Sequence, residues 1–174
     1  MNDDQAGGFD LAHFRRVMGS FATGVTVITT QAHGEVRGMT ANAFMSGSLQ
    51  PALCIVSVAS SARMHAYLEE AGHFGVSILT HEQEKLSTHF SGRPLADLAP
   101  AFELVGRTPV LKGGIATLAA DVLARHDCGD HSLFIGQIFH MHARDSAPLI
   151  VHRGRYASLL YSDQADTQPN VEFW

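Results

Sequence analysis

The chain has 174 residues, of which 45% are hydrophobic and 17% charged, a composition that is typical of one globular domain and excludes a disordered chain. Its formal net charge of −5 and the lack of a basic stripe argue against a nucleic-acid partner. No apolar run approaches the roughly 20 residues that cross a bilayer, so we expect no membrane partner.

The ends of the chain and its cysteines predict a cytoplasmic protein. Residues 1–4 are acidic and lack the basic and apolar regions of a signal peptide. The two cysteines, Cys54 and Cys128, form neither a disulfide framework nor a paired Cys-x-x-Cys motif. We predict a single domain over residues 1–174, with flexible tails at 1–8 and 162–174.

The first part of the chain predicts a helix followed by a β-hairpin. Asp10 can cap a helix that runs to about residue 19. Residues 21–30 then alternate in a β-branched pattern that is typical of a strand. A turn at His33-Gly34 brings the chain back as a second strand, which enters the segment 38–44, Gly-Met-Thr-Ala-Asn-Ala-Phe.

The rest of the chain predicts more strands than helices. Gly72 ends one helix, and the Ser91-Gly-Arg-Pro94 cluster breaks another. Residues 95–108 show little periodicity, and we predict a loop that serves as a lid or a dimer contact. The predicted strands are 53–58, 74–79, 115–125, 132–142 and 155–160, and the predicted helices are 62–71 and 81–90.

The order of these elements predicts a mainly β protein. At least six strands occur with two or three short helices and without regular βαβ alternation, which argues against a doubly wound sheet. A closed or partly closed antiparallel β-barrel with peripheral α-helices fits better, because closure removes exposed strand edges.

Several kinds of chemistry lack their motifs. His81-Glu82 resembles the start of a helical zinc motif, but the second histidine is missing, and nothing near His140 and His142 completes a metal site. Cys54 lies inside an apolar strand and is expected to be a small core residue. No nucleophile elbow, P-loop or dinucleotide fingerprint occurs.

Polar turns built from small residues remain as candidate binding segments. Glycine at 38 permits close approach of a flat ligand to the backbone, although an ordinary tight turn explains segment 38–43 equally well. Residues 57–63 can hold a phosphate through hydroxyls, amides and Arg63, or they can simply cap a surface helix. Residues 129–132 and 152–156 offer an Asp-His pair and two arginines, or a plain turn and a basic strand end.

Taken together, the order and spacing of six motifs resembles the short-chain flavin reductase family, the reductase components of two-component flavin-dependent monooxygenases. The resemblance runs from residue 14 to residue 159. Each motif is weak alone, and their shared order makes the resemblance specific. The motifs are Phe14-Arg-Arg-x-Met18, Phe21-Ala-Thr-Gly-Val-Thr-Val27, Gly38-Met-Thr-Ala-Asn-Ala-Phe44, Phe74-Gly-Val-Ser-Ile-Leu79, His126-Asp-Cys-Gly-Asp-His131 and His152-Arg-Gly-Arg-Tyr156.

The resemblance implies a homodimeric FMN-binding split barrel that takes hydride from NADH or NADPH and releases reduced FMN or FAD to a separate monooxygenase. His131 is the implied catalytic residue, facing the nicotinamide nucleotide together with the strand that carries Arg153, Arg155 and Tyr156. The implied flavin-binding residues fall in three groups. They are Gly38, Thr40, Ala41, Asn42 and Ala43 for the ring and ribityl chain, Ser57, Val58, Ala59, Ser61 and Arg63 for the phosphate, and His89 and Phe90 as a cover.

The phosphate segment departs from the family pattern. The family usually has Lys or Arg at the position of Ser60, and Ser and Thr at the positions of Ala62 and Met64. A further family serine is Ala43 here. Loss of one cation and several hydroxyls removes charge-assisted hydrogen bonds, so we expect flavin to act as an exchangeable substrate.

Two other functions stay open at this point. A split-barrel protein that binds flavin or haem without turnover would have no use for the Gly-Asp-His and His-Arg-Gly-Arg-Tyr segments. An unrelated metal-binding barrel would carry stoichiometric zinc when purified. The sequence does not decide whether the flavin is FMN or FAD, or whether the hydride donor is NADH or NADPH. It also does not identify the monooxygenase.

Overall fold

A computed structural model describes residues 10–159, and the tails predicted at 1–8 and 162–174 lie outside the described residues. The helices are α1 (Leu11–Met18), α2 (Arg63–Ala71) and α3 (Glu84–Phe90), with a 3-10 turn at His81–Gln83. The strands are β1 (Thr23–Gly24), β2 (Thr26–Ala32), β3 (Glu35–Ala41), β4 (Phe44–Leu49), β5 (Ala52–Ala59), β6 (His73–Ile78), β7 (Phe102–Val105), β8 (Thr108–Leu111), β9 (Ala116–Cys128), β10 (His131–Ala143), β11 (Ile150–His152) and β12 (Arg155–Ala157).

Seven strands form one antiparallel sheet in the order β3-β2-β6-β9-β10-β5-β4. The edge strands β3 and β4 are separated only by Asn42 and Ala43, so their facing ends lie at most about 11 Å apart. The sheet is therefore curled, and its two edges meet at this corner. The mainly β architecture with peripheral helices is confirmed, but among residues 10–159 no ladder joins β3 to β4, so the barrel is not closed.

Helix α2 lies against the interior of the curled sheet. Its buried residues Met64 and Leu68 are four positions apart on one face, and they pack with Ile28, Phe74 and Phe134 in the main core. Burial of a side chain such as Leu68 contributes about 1.5–3 kcal/mol. Gly72 ends α2 in the left-handed conformation, as the sequence predicts. A second core cluster joins Val25, Val27, Leu79, Leu111 and Leu149.

The β7–β8 hairpin covers the other face of the sheet at β2 and β6. Gly75 permits this contact, because a Cβ at that position would lie 2.3 Å from the carbonyl oxygen of Pro109. The Thr29 hydroxyl donates to the same oxygen, and the Leu111 N–H donates to Ser77 Oγ at 2.9 Å. This hairpin corrects the prediction of a loop at 95–108, since β7 lies within those residues and β8 begins at residue 108.

Other boundaries also differ from the prediction. Strand β4 was not predicted, because it is an exposed edge strand with a glycine and a bulge and so lacks a regular alternation. The predicted strand 21–30 is interrupted at Val25, whose N–H donates to the carbonyl of Leu149 at 3.1 Å. The helix at 11–18 is capped by the Asp10 carboxylate as predicted. None of the helices between residues 10 and 159 has the length and apolar character needed to cross a membrane.

The buried histidine of β6 predicts a pH-dependent stability. Burial, and then the Arg107 guanidinium, lower the pKa of His73 from its ordinary value of 6.5, while Asp121 opposes the shift. The unfolded chain therefore takes up a proton near pH 6.5 that the folded protein does not yet bind. We expect the free energy of unfolding to fall as the pH drops below about 6.5 and to be unaffected by His73 above it. Denaturant titrations from pH 8 to pH 5.5 test this.

The matched variant is His73→Gln, which keeps a polar group near the Thr108 hydroxyl, 2.9 Å from His73 Nδ1 in the native protein. This variant should be less stable overall but should lose less stability between pH 6.5 and 5.5. Identical pH slopes in the two proteins would contradict the assignment.

Candidate active site

A cleft of about 560 Å³ lies where β3, α2 and α3 meet, and we refer to it as the first cleft. Its volume falls within the range of small-molecule sites. Five residues predicted to bind flavin line it, namely Gly38, Thr40, Arg63, His89 and Phe90. Val36, Arg37, Met39, Ala62, Met64, Tyr67, Ser91, Gly92 and Pro94 complete the lining.

The outer face of β3 is covered by α3. The Phe90 ring packs on Gly38 so closely that a Cβ at Gly38 would lie 2.6 Å from two ring carbons. The Thr40 hydroxyl donates to the carbonyl of Ser87 at 2.6 Å. The glycine at 38 thus permits the close approach of an aromatic ring of the same chain. Close approach of a ligand to this glycine stays a prediction.

Ser87 links β3 to β12. Its side-chain oxygen accepts a hydrogen bond of 2.8 Å from the Tyr156 hydroxyl, while its carbonyl accepts from Thr40. Next to this link lies a second cleft of about 350 Å³, lined by predicted residues Thr40, Ala41, Asn42 and Tyr156. Because Thr40 and Ser91 line both clefts, the first and second clefts adjoin.

Some residues of the predicted phosphate segment, 57–63, lie at the first cleft or on the surface, and others lie in the core. The Ser57 N–H donates to the Ala43 carbonyl at 3.0 Å, so β5 meets the corner of the sheet there. Val58 points into the core, where it is 1% exposed, and can offer a ligand only its backbone. Ser61 is exposed just before α2, and Arg63 begins that helix and reaches the first cleft.

His131 lies beside the phosphate segment and outside both clefts. It pairs with Ala59 in the β5–β10 ladder, and the carbonyl of Asp130 accepts from the Ser60 N–H at 2.9 Å. The His131 Nδ1 atom is 2.7 Å from the Asp130 carboxylate. This hydrogen bond and the charge of the imidazole hold the pKa of Asp130 below its usual range. The predicted pairing of Asp130 with His131 is thus formed. The other ring nitrogen of His131, Nε2, is directed away from the carboxylate.

The arginines of the last motif occupy different places. Arg153 and Gly154 form the two-residue turn between β11 and β12, with positive φ values of 50° and 73° as in a type I′ turn. The Arg153 N–H donates to the Gly19 carbonyl at 2.7 Å, which places this turn against the end of α1. Arg155 is exposed on β12 and lines neither cleft.

Sequence reasoning missed an aromatic-cation pair in the first cleft. The Arg37 guanidinium lies 5.3 Å from the centre of the Tyr67 ring and pairs with Glu35 at 2.6 Å. Its Nε atom is buried without a hydrogen-bond partner in the described chain. The sequence did hold a signal for the position of Tyr67. It lies four residues after Arg63 on α2, a spacing that places both side chains on one helix face.

A polar network joins α2 to the hairpin that carries His131. His65 Nε2 is 2.9 Å from Ser132 Oγ, and that hydroxyl donates to Asp127 at 2.9 Å. On its other side, His65 Nδ1 is 3.4 Å from Glu69. Ser132 is only 1% exposed, so this hydroxyl aligns the two elements and cannot serve as a nucleophile.

The buried thiol of Cys54 and the metal-binding types of side chain offer no competing site among residues 10–159. Burial raises the pKa of Cys54 to about 11, which keeps the thiol protonated and inert. Between residues 10 and 159, no three His, Cys, Asp or Glu side chains are arranged to hold a metal ion. The polar groups that line the first and second clefts are hydroxyls, backbone groups, arginines, the imidazole of His89 and the amide of Asn42.

Comparison with known proteins identifies the family to which the chain belongs. Residues 18–160 match the sequence profile of the flavin reductase like domain. An NADH-dependent flavin reductase of a Rhodococcus species is 39% identical over 150 residues, 84% of this chain and 85% of that protein. The reductase component of 4-hydroxyphenylacetate 3-monooxygenase of Thermus thermophilus is 38% identical over 139 residues, 80% of this chain and 89% of that protein.

A solved structure shows the same fold. The flavin reductase PheA2 in its native state superposes with a TM-score of 0.85 at 40% identity, covering 88% of this chain and 100% of that one. Sequence and fold thus agree over most of the chain. The protein belongs to the flavin reductase family.

Proposed function

We propose that the protein is an NAD(P)H-dependent flavin reductase, which transfers hydride from NADH or NADPH to FMN or FAD and supplies reduced flavin to a separate monooxygenase. The match of residues 18–160 to the flavin reductase profile carries the proposal. Relatives named as an NADH-dependent flavin reductase and as a monooxygenase reductase component support it. A flavin- or haem-binding role without turnover is not favoured, because these relatives are reductases.

The first and second clefts fit a flat, anionic ligand. Their walls combine the aromatic rings of Tyr67 and Phe90 with the arginines at 37, 63 and 93, and no Asp or Glu lines either cleft. Arginine forks suit phosphate oxygens, and aromatic side chains suit a planar ring system. The residues present therefore fit a flavin mononucleotide or its adenylated form.

In this assignment the predicted flavin-binding residues of the first and second clefts have defined tasks. Gly38 to Ala43 present backbone groups along the ligand, and Arg63 binds its phosphate. Phe90 covers the ring and excludes water from it. Bound flavin supplies the hydride acceptor and the nicotinamide nucleotide the donor, so the protein needs no nucleophile of its own.

His131 is proposed to bind the nicotinamide nucleotide. Asp130 orients its imidazole through Nδ1, which leaves Nε2 free to meet the ligand. Replacement of His131 by alanine should impair the dependence of the rate on NADH more than it weakens flavin binding. An unchanged NADH dependence in steady-state kinetics would contradict this role.

Flavin is proposed to be an exchangeable substrate. Ser60 is exposed and uncharged, so it does not supply the cation that the family has at this position. The Met64 side chain is buried in the core and does not supply the family's hydroxyl. Prolonged dialysis should yield protein with far less than one flavin per chain. Stoichiometric flavin after dialysis, measured from the visible absorbance spectrum, would contradict this expectation.

We further propose a single-domain homodimer in the cytoplasm. The outer part of the sheet exposes Met45, Leu123, Phe139 and Met141, which are 49–70% exposed and would be covered by a second copy. The free thiols of Cys54 and Cys128 suit a reducing compartment. Sedimentation velocity at micromolar concentration should give a dimer for the native chain and a monomer for Met141→Asp. A monomeric native chain would refute this assembly.

The activity itself is tested by NADH oxidation with and without added FMN, FAD and riboflavin. The proposal predicts strong stimulation by flavin with NADH or NADPH as donor. Absence of stimulation with both donors would refute it.

A further inference from the structure

Five polar or charged side chains form a closed ring between α2 and the β9–β10 hairpin. Helix α2 contributes His65 and Glu69, and the hairpin contributes Arg125, Asp127 and Ser132. His65 Nε2 lies 2.9 Å from Ser132 Oγ, and the Ser132 hydroxyl donates to Asp127 at 2.9 Å. Arg125 pairs with Asp127 at 3.5 Å and also with Glu69. Glu69 completes the ring, because its carboxylate lies 3.4 Å from His65 Nδ1.

The hydrogen bond between His65 and Ser132 is the buried part of this ring. A serine hydroxyl carries one proton, and that of Ser132 goes to Asp127, so Ser132 Oγ accepts from His65 Nε2. Ser132 is 1% exposed, and the His65 side chain is 12% exposed. The imidazole also packs edge-on against Phe134, with the ring centres 5.2 Å apart. Loss of a buried partner costs more than loss of an exposed one, so we expect the largest effects from this bond.

The ring lies next to the backbone that carries His131, where three consecutive residues of the hairpin are held. The Asp130 carbonyl accepts from the Ser60 N–H at 2.9 Å, and His131 pairs with β5. Ser132, which follows, bonds to His65 on α2. The His131 imidazole is bonded to the Asp130 carboxylate, whose side chain is 93% exposed. The place of the imidazole therefore depends on how firmly the backbone at 130–132 is held.

Helix α2 provides a fixed reference for this part of the hairpin. Its two buried residues anchor it in the main core. Arg63, which reaches the first cleft, lies two residues before His65 on the same helix. The hydrogen bond from His65 to Ser132 therefore ties the position of His131 to that of Arg63.

We propose that His65 and Ser132 are positioning residues, whose hydrogen bond holds His131 where it meets the nicotinamide nucleotide. The inference rests on the proposed function, in which His131 binds that nucleotide and Arg63 binds the flavin phosphate. Neither His65 nor Ser132 lines the first or the second cleft, and Ser132 is buried, so both act through His131. An effect on the hydride donor without a matching effect on flavin binding distinguishes this role from a purely structural one.

Replacement of Ser132 by alanine should raise the KM for NADH about three- to tenfold, the loss expected for one buried hydrogen bond. The Kd for FMN should stay within about twofold, because α2 and Arg63 keep their own packing. Ser77→Ala is the matched control. It removes a buried serine hydroxyl that accepts from the Leu111 N–H at 2.9 Å, so it should lower the melting temperature without changing the KM for NADH. An unchanged KM in Ser132→Ala, or an equal rise in Ser77→Ala, would overturn the inference.

Two replacements of His65 separate the hydrogen bond from the packing of the imidazole. His65→Gln keeps a side-chain N–H that can donate to Ser132, whereas His65→Leu keeps only apolar bulk. The KM for NADH should stay near the native value in His65→Gln and should rise in His65→Leu as it does in Ser132→Ala. An equal rise in both His65 variants would overturn the role of the hydrogen bond.

A double-mutant cycle tests whether the effect passes through His131. Added to His131→Ala, the replacement Ser132→Ala should change the KM for NADH by less than about twofold, because the residue that Ser132 positions is already absent. An undiminished effect of Ser132→Ala in the His131→Ala background would overturn the inference.

Histidine-selective ¹³C NMR tests the positioning without any ligand or turnover. The ring signal of His131, assigned by its loss in His131→Ala, should shift and broaden in His65→Leu and remain native-like in His65→Gln. An unchanged His131 signal in His65→Leu would overturn the inference. A native protein that oxidises no NADH, but whose His131 signal still responds in this way, would refute the proposed function alone.

Discussion

Replacement of Arg63 by alanine is expected to raise the Kd for FMN and for FAD about ten- to a hundredfold. Arg63 begins α2 and is the charged member of the predicted phosphate segment that reaches the first cleft. A hydrogen bond to a charged group contributes about 1.5–3 kcal/mol, which corresponds to roughly ten- to a hundredfold in affinity. Fluorescence titration of the flavin measures the effect.

Riboflavin provides the decisive control because it lacks the phosphate. Its Kd should change by less than about twofold in Arg63→Ala, while the affinities for FMN and FAD fall. The exposed Arg107, which pairs with Asp121 and lines neither the first nor the second cleft, gives a matched cation, and Arg107→Ala should bind all three flavins normally. If Arg63→Ala weakened riboflavin and FMN equally, Arg63 would act on the shape of the site and not on the phosphate.

Replacement of Gly38 by alanine should damage both the fold and the site. The added methyl group would overlap the Phe90 ring, with a carbon-carbon distance of 2.6 Å, so the ring or β3 has to shift. Overpacking of this kind costs about 1–3 kcal/mol. We expect a lower melting temperature together with a flavin affinity reduced at least fivefold, measured by calorimetry and fluorescence titration.

The contact between Gly38 and Phe90 can be separated from the effect of alanine in a strand. Gly24 lies in the short strand β1, and a Cβ added there would meet no atom within 4 Å, so Gly24→Ala is the matched control and should be nearly neutral. A smaller side chain at position 90, as in Gly38→Ala/Phe90→Leu, should recover part of the lost stability. Equal losses for the single and double variants would show that the Phe90 ring is not the cause.

Much of the fold follows from local sequence signals. Asp10 caps α1, Gly72 ends α2, and His33-Gly34 forms a hairpin turn with both φ values positive, each for a reason that acts within a few residues. The buried strands β5 and β6 are equally evident, because apolar and β-branched residues dominate them.

The missed elements depend on contacts between distant parts of the chain. Strand β8 contains Pro109 and is defined by its packing on Gly75 and Thr29, so no local pattern predicts it. Strand β4 is an edge whose pairing to β5 is bulged. Curling of the sheet follows from the short β3–β4 connection and from the covering helix, which a linear pattern does not express.

Some residues of the candidate site, but not their contacts, can be selected from the sequence, and their roles stay predictions. Gly38, Thr40, Arg63, His89 and Phe90 meet in the first cleft. The role of Ser87, which joins Thr40 to Tyr156, could not be predicted, since its bonds cross 47 and 69 residues of sequence. Nor could the sequence predict that the β11–β12 turn packs against the end of α1.

Anaerobic reduction of free flavin tests the central claim most directly. Catalytic amounts of the protein are mixed with NADH and an excess of FMN, and the absorbances of oxidised flavin and of NADH are followed together. We predict that both fall with equal molar amounts consumed, at a rate proportional to protein concentration and far above that of the protein-free mixture. A rate equal to that of the protein-free mixture, with either NADH or NADPH and with FMN or FAD, would contradict the account.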